Sequence, residues 1–276
     1  MLITTRRHLA SGVLLQVVSD AADARRHSTA VRDLGDFADF VHARVPSALR
    51  DLRIELVDTP DMAAGGAGHV VLGRPGADLP WDPASSPRIV GHELTHALVD
   101  STAGFAVHEL DADLVGRAFA RAIGRDDGAR WPASITRDVA DFRSARQYWA
   151  AFDHPDPAIA GHAGDTHQMG GPVAAALEDV ADRHGTAIVD EVAVRAVLGV
   201  KPRTDAALRA ALDGAAALGD ASAQIRGYVQ AAWRDDVAAF ATAARELHPD
   251  RPEIARSITD AARRRGVDVT DWPAGT

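Results

Sequence analysis

The residues best equipped for chemistry lie in the run Gly91-His92-Glu93-Leu94-Thr95-His96-Ala97-Leu98-Val99-Asp100. On a helix, His92 and His96 stand one turn apart on the same face, so both imidazoles can bind a single tetrahedral zinc at ~2.0–2.1 Å per nitrogen. Glu93 projects to one side of that stripe, where its carboxylate can reach a water on the metal without displacing it; this is the place of a general base. A catalytic zinc takes three protein ligands and leaves one position for water, so a further ligand must come from outside the helix. Glu109 follows His96 and opens the segment Glu109-Leu110-Asp111-Ala112-Asp113-Leu114-Val115. Leu110, Leu114 and Val115 mark an apolar helical face there, while Glu109 and Asp113 share another. Glu109 is therefore the expected third ligand. Asp113, one turn on, is the carboxylate expected to hold a ligand imidazole in one tautomer.

A second candidate lies at Gly164-Asp165-Thr166-His167-Gln168-Met169-Gly170-Gly171-Pro172. The glycines allow a tight loop, Pro172 suits a helix start, and Val173 to Val180 reads as helix. A donor at His167 aimed at developing negative charge would complement the Lewis acidity of zinc, and Asp165 is placed to orient the ring.

The stretch HELTHALVDSTAG, from His92 to Gly104, followed by Glu109-x-x-x-Asp113, resembles the thermolysin-like gluzincin zinc metallopeptidases over about 25 residues. The resemblance implies His92, His96 and Glu109 as zinc ligands, Glu93 as base, and Asp100 and Asp113 as supporting carboxylates. It also matches the glycine-flanked His167 to a histidine that stabilises the oxyanion of a tetrahedral intermediate. Arg143-Ser144, followed by His154-Pro155-Asp156-Pro157, is similar to a family stretch whose arginine binds the substrate carbonyl. The chain departs from the pattern in several places. The gap between His96 and Glu109 is shorter, His108 stands where the family favours asparagine, and no tyrosine lies near Val107. Arg88 and Ala120 occupy places where calcium-binding acids would be expected.

The elements that must position these residues are also readable. Leu2 to Arg7 and Val13 to Val18 pair as a hairpin across Ala10-Ser11-Gly12. Thr29 to Arg44 is an amphipathic helix with Val31, Leu34, Phe37, Phe40 and Val41 on one face. Leu52 to Val57 alternates as a strand, Ala63 to Gly68 is a glycine-rich break, and His69 to Leu72 is a further strand. In thermolysin-like enzymes a cleft-edge strand binds peptide by backbone pairing. The segment Gly68 to Gly73, with His69 as a substrate-binding residue, is placed in sequence to do so, or else it is an ordinary interior strand. Pro75 to Pro87 reads as a loop and Pro87 to Thr102 as the zinc helix. Beyond it the pattern predicts helices at Glu109 to Ile123, Ser134 to Ala151, Pro172 to His184, Ile188 to Val197, Thr204 to Ala217, Ala221 to Glu246 and Pro252 to Arg265.

The expected fold class is thus α+β and zincin-like. A small mixed lobe, residues 1–104, carries the zinc helix, and a mostly helical lobe spans 105–276, with the zinc helix forming the floor of a cleft. The expected activity is that of a zinc-dependent metalloendopeptidase acting on a peptide or protein. The alternatives are a zinc amidase acting on a specialised small peptide or metabolite, or a catalytically weak peptide-binding zincin. A purely structural zinc fits poorly, because closed structural sites do not use an oxygen ligand beside an open position.

Composition bounds the remaining choices. At 276 residues and 46% hydrophobic content, the chain can bury one large core or two lobes. A net charge of −9 argues against nucleic acid, whose binding needs a basic stripe. Arg263-Arg264-Arg265 reads as a solvated helix terminus. The absence of cysteine excludes disulfides and thiolate metal sites. Thr5-Arg6-Arg7-His8-Leu9 with the following apolar run faintly resembles a twin-arginine export signal. Ser11, Gly12 and Gln16 dilute that run, so the expectation is a cytoplasmic protein, with secretion as the alternative and no membrane segment.

Overall fold

The computed structural model of the chain describes residues 2–77, 82–99, 105–126, 142–164, 166–200 and 221–269, with the backbone alone described at 105–108, 162, 166–167 and 221–224. Its contacts group into two compact units, Met1–Ser101 with Asp111–Val139, and Thr102–Leu110 with Ala140–Thr276. Each unit has its own architecture.

The first unit is built on a five-stranded sheet of order β1-β2-β3-β5-β4. The strands are β1 (Leu2–His8), β2 (Leu14–Asp20), β3 (Leu52–Pro60), β4 (Ala63–Gly66) and β5 (His69–Arg74). β1 and β2 form the expected antiparallel hairpin, turning at Gly12, whose φ of 86° suits a residue without a β-carbon. β2, β3 and β5 run parallel, and β4 returns antiparallel to β5. The register stacks one apolar face: Leu15 lies beside Leu52, Val17 beside Ile54, Ile54 beside Val70 and Leu56 beside Leu72. All seven of these side chains are buried. The helices α1 (Ala24–Arg44) and α2 (Pro87–Leu98) pack on the sheet and on each other. The alternate residues Gln16, Arg53 and Glu55 point the other way, as the period of two requires.

Several elements of this unit differ from expectation. The first helix begins at Ala24 rather than Thr29, because Asp20 accepts from the Ala22 amide and a short 3-10 turn runs straight into it. The glycine-rich segment expected as a break is the strand β4. The motif helix stops at Leu98 rather than Thr102: Val99 has left helical space at φ −85°, ψ 113°. At its other end Ser86 accepts from the Ile89 amide and Pro87 fills the first helical position, a strong start signal.

The helix α3 spans Phe105–Ala122. In the first unit its Phe119 ring meets Phe37 of α1 edge-on at 5.2 Å. Just beyond α3, Arg125 reaches Asp33 of α1 at 2.5 Å.

The second unit is helical among its described residues: α4 (Ala145–Phe152), α5 (Pro157–Ala163), α6 (Thr166–Met169), α7 (Gly171–His184), α8 (Thr186–Arg195), α9 (Ala221–Leu247) and α10 (Pro252–Arg264). α4 starts eleven positions after the expected Ser134, capped by Ser144 at the Gln147 amide; 134–141 and the helix expected at Thr204 to Ala217 lie outside the described residues. The core of α10 is the stripe Ile254, Ala255, Ile258, Ala261 and Ala262, all buried. Arg265 is not merely solvated. Its guanidinium grips Asp179 through two bonds, of 3.0 and 2.5 Å, and this partner raises its pKa. Among the described residues no helix is long and apolar enough to cross a membrane.

Candidate metal centre

His92 and Glu93 sit in the middle of α2 on its buried side, 4% and 3% exposed. His96 lies one turn on, and the two rings meet edge-on with Nε2 atoms 3.0 Å apart. Ligands at ~2.0–2.1 Å from a tetrahedral ion stand ~3.3–3.4 Å apart, so the two nitrogens already converge at nearly the separation one zinc needs. The carboxylate of Glu109 completes the group: its ligand atom and those of His92 and His96 all fall within 4.8 Å of one another.

The tautomers follow from the neighbours. Asp113 Oδ1 lies 2.9 Å from His92 Nδ1. A carboxylate only accepts, so Nδ1 carries the proton and Nε2 of the neutral ring carries the lone pair. At 3.0 Å, His96 Nε2–H can then donate to His92 Nε2, whereas a metal held by both Nε2 atoms would require the other neutral tautomer of His96, with its proton on Nδ1. The carboxylate that orients His92 is itself 43% exposed while the imidazole side chain is 5% exposed. The donor set of two imidazoles and one carboxylate, with one imidazole backed by a second carboxylate, fits zinc with a position left over.

Two glycines let neighbouring backbones close on α2 at the motif. Gly65 of β4 lies on the helix-facing side of the sheet, beside Val70, and a β-carbon there would run into the Glu93 carbonyl. Gly116 of α3 lies against the amide of His92. The β4–β5 turn also caps the helix: the Gly68 amide donates to the Ala97 carbonyl at 2.9 Å, and Arg50 donates to the Leu98 carbonyl. Neither glycine stands out in sequence. The available signal is a glycine inside a helical pattern at 116, where that residue costs helix stability and wants a packing reason.

The other expected site residues fall elsewhere. β5 is paired on both sides, by β3 and β4, so the interior-strand alternative for Gly68 to Gly73 holds and the outer edge belongs to β4. His69 is on the face opposite Val70 and Leu72, with Nε2 3.4 Å from Glu55; strand alternation turns it away from α2 and from the proposed substrate contact. Arg143 forms an exposed ion pair with Glu178 at 2.9 Å instead of presenting an isolated guanidinium. Asp100 and Asp165 lie outside the described residues. The backbone of His167 lies on the helical turn α6 rather than in an open loop. That turn is anchored: Trp233 Nε1 donates to the Met169 carbonyl at 2.5 Å, and Gly170 packs against the Leu110 side chain so closely that a β-carbon would stand 2.6 Å from Leu110 Cβ. Arg88, at a place where a calcium-binding acid would be expected, faces Asp126 at 3.9 Å, and Ala120 is buried.

In comparisons with known proteins, no family model and no curated protein matches the chain.

Proposed function

We propose that this chain is a zinc-dependent metalloendopeptidase of thermolysin-like chemistry, with His92, His96 and Glu109 as zinc ligands, Glu93 as general base and His167 as oxyanion donor. The observation that carries the reading is the convergence of His92, His96 and Glu109, with His92 oriented by Asp113. A zinc held there supplies Lewis acidity, polarising a scissile carbonyl and lowering the pKa of a water. The Glu93 carboxylate takes a proton from the attacking water as its oxygen bonds to the carbonyl carbon. It then delivers that proton to the amide nitrogen as the C–N bond breaks. Burial of Glu93 keeps bulk water from competing for that proton. His167 is assigned the donor role that would offset negative charge on the former carbonyl oxygen, a role worth roughly 3 kcal/mol where one such donor has been removed.

Peptide as substrate is favoured by β4. It is the last strand of the sheet, and it runs against α2 at Glu93. An extended peptide can add to such an edge through main-chain hydrogen bonds, which would bring its amides beside the base. The test is metal stoichiometry across variants. Wild type and Glu93→Ala are expected to bind one zinc each, whereas His92→Ala and Glu109→Ala lose it while staying folded. Full zinc retention by Glu109→Ala would remove it from the ligand set, and a metal-free but folded Glu93→Ala would contradict its role as base.

A further inference from the structure

Gly91 and Gly116 meet where α2 and α3 cross. A β-carbon on Gly116 would stand 2.6 Å from the Arg88 carbonyl oxygen and 2.8 Å from the His92 amide nitrogen. One on Gly91 would stand 3.0 Å from the Gly116 Cα and 2.8 Å from the Phe119 ring. Carbon in ordinary contact settles at about 3.5 Å, so the two helices cross backbone on backbone. The crossing falls on the amide of the first motif histidine. Glycine is a poor helix former, and Gly116 sits well inside α3. On that helix Glu109, Asp113 and Gly116 follow one another at spacings of four and three, so all three share one stripe. Gly116 therefore touches the backbone of His92 on the same side of α3 from which Asp113 reaches its ring.

We propose that Gly116 is a positioning residue: it sets the distance between α2 and α3, and through it the zinc affinity of the His92, His96 and Glu109 group. The inference rests on reading that group as a zinc site. A methyl at 116 would push α3 back by ~0.7–0.9 Å before its contacts reached about 3.5 Å. Ligand distances in a metal site hold to about ±0.2 Å, so a retreat of that size exceeds what the ligand set tolerates. The Asp113–His92 bond, 2.9 Å long, would open to ~3.6 Å or more and cease to be a hydrogen bond. The ligand carboxylate and the carboxylate behind the imidazole would withdraw together, because they share the helix that moves.

The experiment is zinc affinity by competition with a chromophoric chelator, on the full chain, for wild type, Gly116→Ala, Gly91→Ala and Gly227→Ala. Circular dichroism and melting in EDTA report the folded fraction without metal. Gly116→Ala, folded in EDTA, is expected to bind zinc at least about tenfold more weakly, the scale on which losses around metal ligands act. Gly91→Ala should lose less, since one of its neighbours is the edge of a ring that can turn. Gly227→Ala, where a β-carbon meets nothing within 4 Å, should match wild type. A merely structural glycine would lower the melting temperature in EDTA and leave the affinity of the folded fraction unchanged. A folded Gly116→Ala with wild-type affinity would overturn the proposal. If Gly116→Ala does not fold, Gly91→Ala decides: weakened zinc binding supports the spacing role and unchanged binding overturns it. Failure of wild type itself to bind zinc would instead remove the metal-site reading on which the proposal stands.

Discussion

Removing Asp113 isolates what one carboxylate would contribute to the proposed metal centre. Its Oδ1 accepts from His92 Nδ1 at 2.9 Å, which fixes the tautomer that leaves Nε2 bare and raises that nitrogen's basicity. Without it the ring can rotate and can place its proton on either nitrogen. Losses of such partners lower metal affinity about 10–100-fold, or ~1.4–2.7 kcal/mol. Asp113→Asn keeps a carbonyl oxygen able to accept from Nδ1–H and removes only the charge, so it should fall near the lower bound. Asp113→Ala removes both and should fall near the upper one. The carboxylate is 43% exposed, so the zinc-free protein should lose at most about 1 kcal/mol of folding stability in either variant. Chelator competition measures the affinities, and urea unfolding in EDTA measures the stability. Equal zinc affinity in wild type and Asp113→Ala would refute the assignment of Asp113, and a loss seen only in folding stability would make it a structural residue.

Further outcomes follow from other parts of the chain. Ala67 has φ 48° and Gly68 φ 80° in the two-residue turn between β4 and β5, a primed turn that favours Asn-Gly; Ala67→Asn should therefore stabilise by about 1 kcal/mol in urea unfolding, and no gain would contradict the strain argument. His27 is buried between Thr5 Oγ1 and Ser19 Oγ, each at 2.8 Å, and burial lowers its pKa. A lowered histidine pKa favours the neutral ring in the folded state. Its contribution is therefore intact above the unfolded value of about 6.5 and lost as pH falls below it toward the folded value. In EDTA, stability should drop over that window in wild type and drop less in His27→Gln; equal slopes would contradict this. Asp33 is fully buried and paired to Arg125 at 2.5 Å, with Arg32 at 2.9 Å as second partner. Arg125→Met should cost about 3 kcal/mol, since it leaves a buried carboxylate underpaired, and a cost below about 1 kcal/mol would show that Arg32 suffices.

What could be read from sequence was what short-range patterns carry. The β1–β2 hairpin, the alternating strand β3 and the motif helix all have local signals: a Gly12 turn, period-two apolar residues, and Ser86-Pro87 before an apolar run. The pair His92 and His96 was legible because four residues on a helix is one turn. Glu109 was legible because its helix has a clear apolar face. β4 was not. Ala63-Ala64-Gly65-Gly66 has no β-branched residue, and what makes it a strand is pairing with β5 and the close approach to Glu93 that only Gly65 permits. For His69, alternation tells which residues share a face but not which face meets the helix. That needed the register with β3, where His69 stands beside Arg53 on the outer side. The flanking glycines suggest a loop at His167. Instead Gly170 and Gly171 are close-packing positions, against Leu110 and the Phe142 carbonyl, and the intervening turn is helical.

The proposed activity is peptide-bond hydrolysis at the motif helix with Glu93 as base. Cleavage of a quenched-fluorescent peptide library by zinc-loaded wild type, run beside equally zinc-loaded Glu93→Ala, addresses it directly. Cleavage by wild type that is lost in Glu93→Ala is the expected result. Cleavage by both at the same rate, or by neither with zinc bound, would contradict the claim.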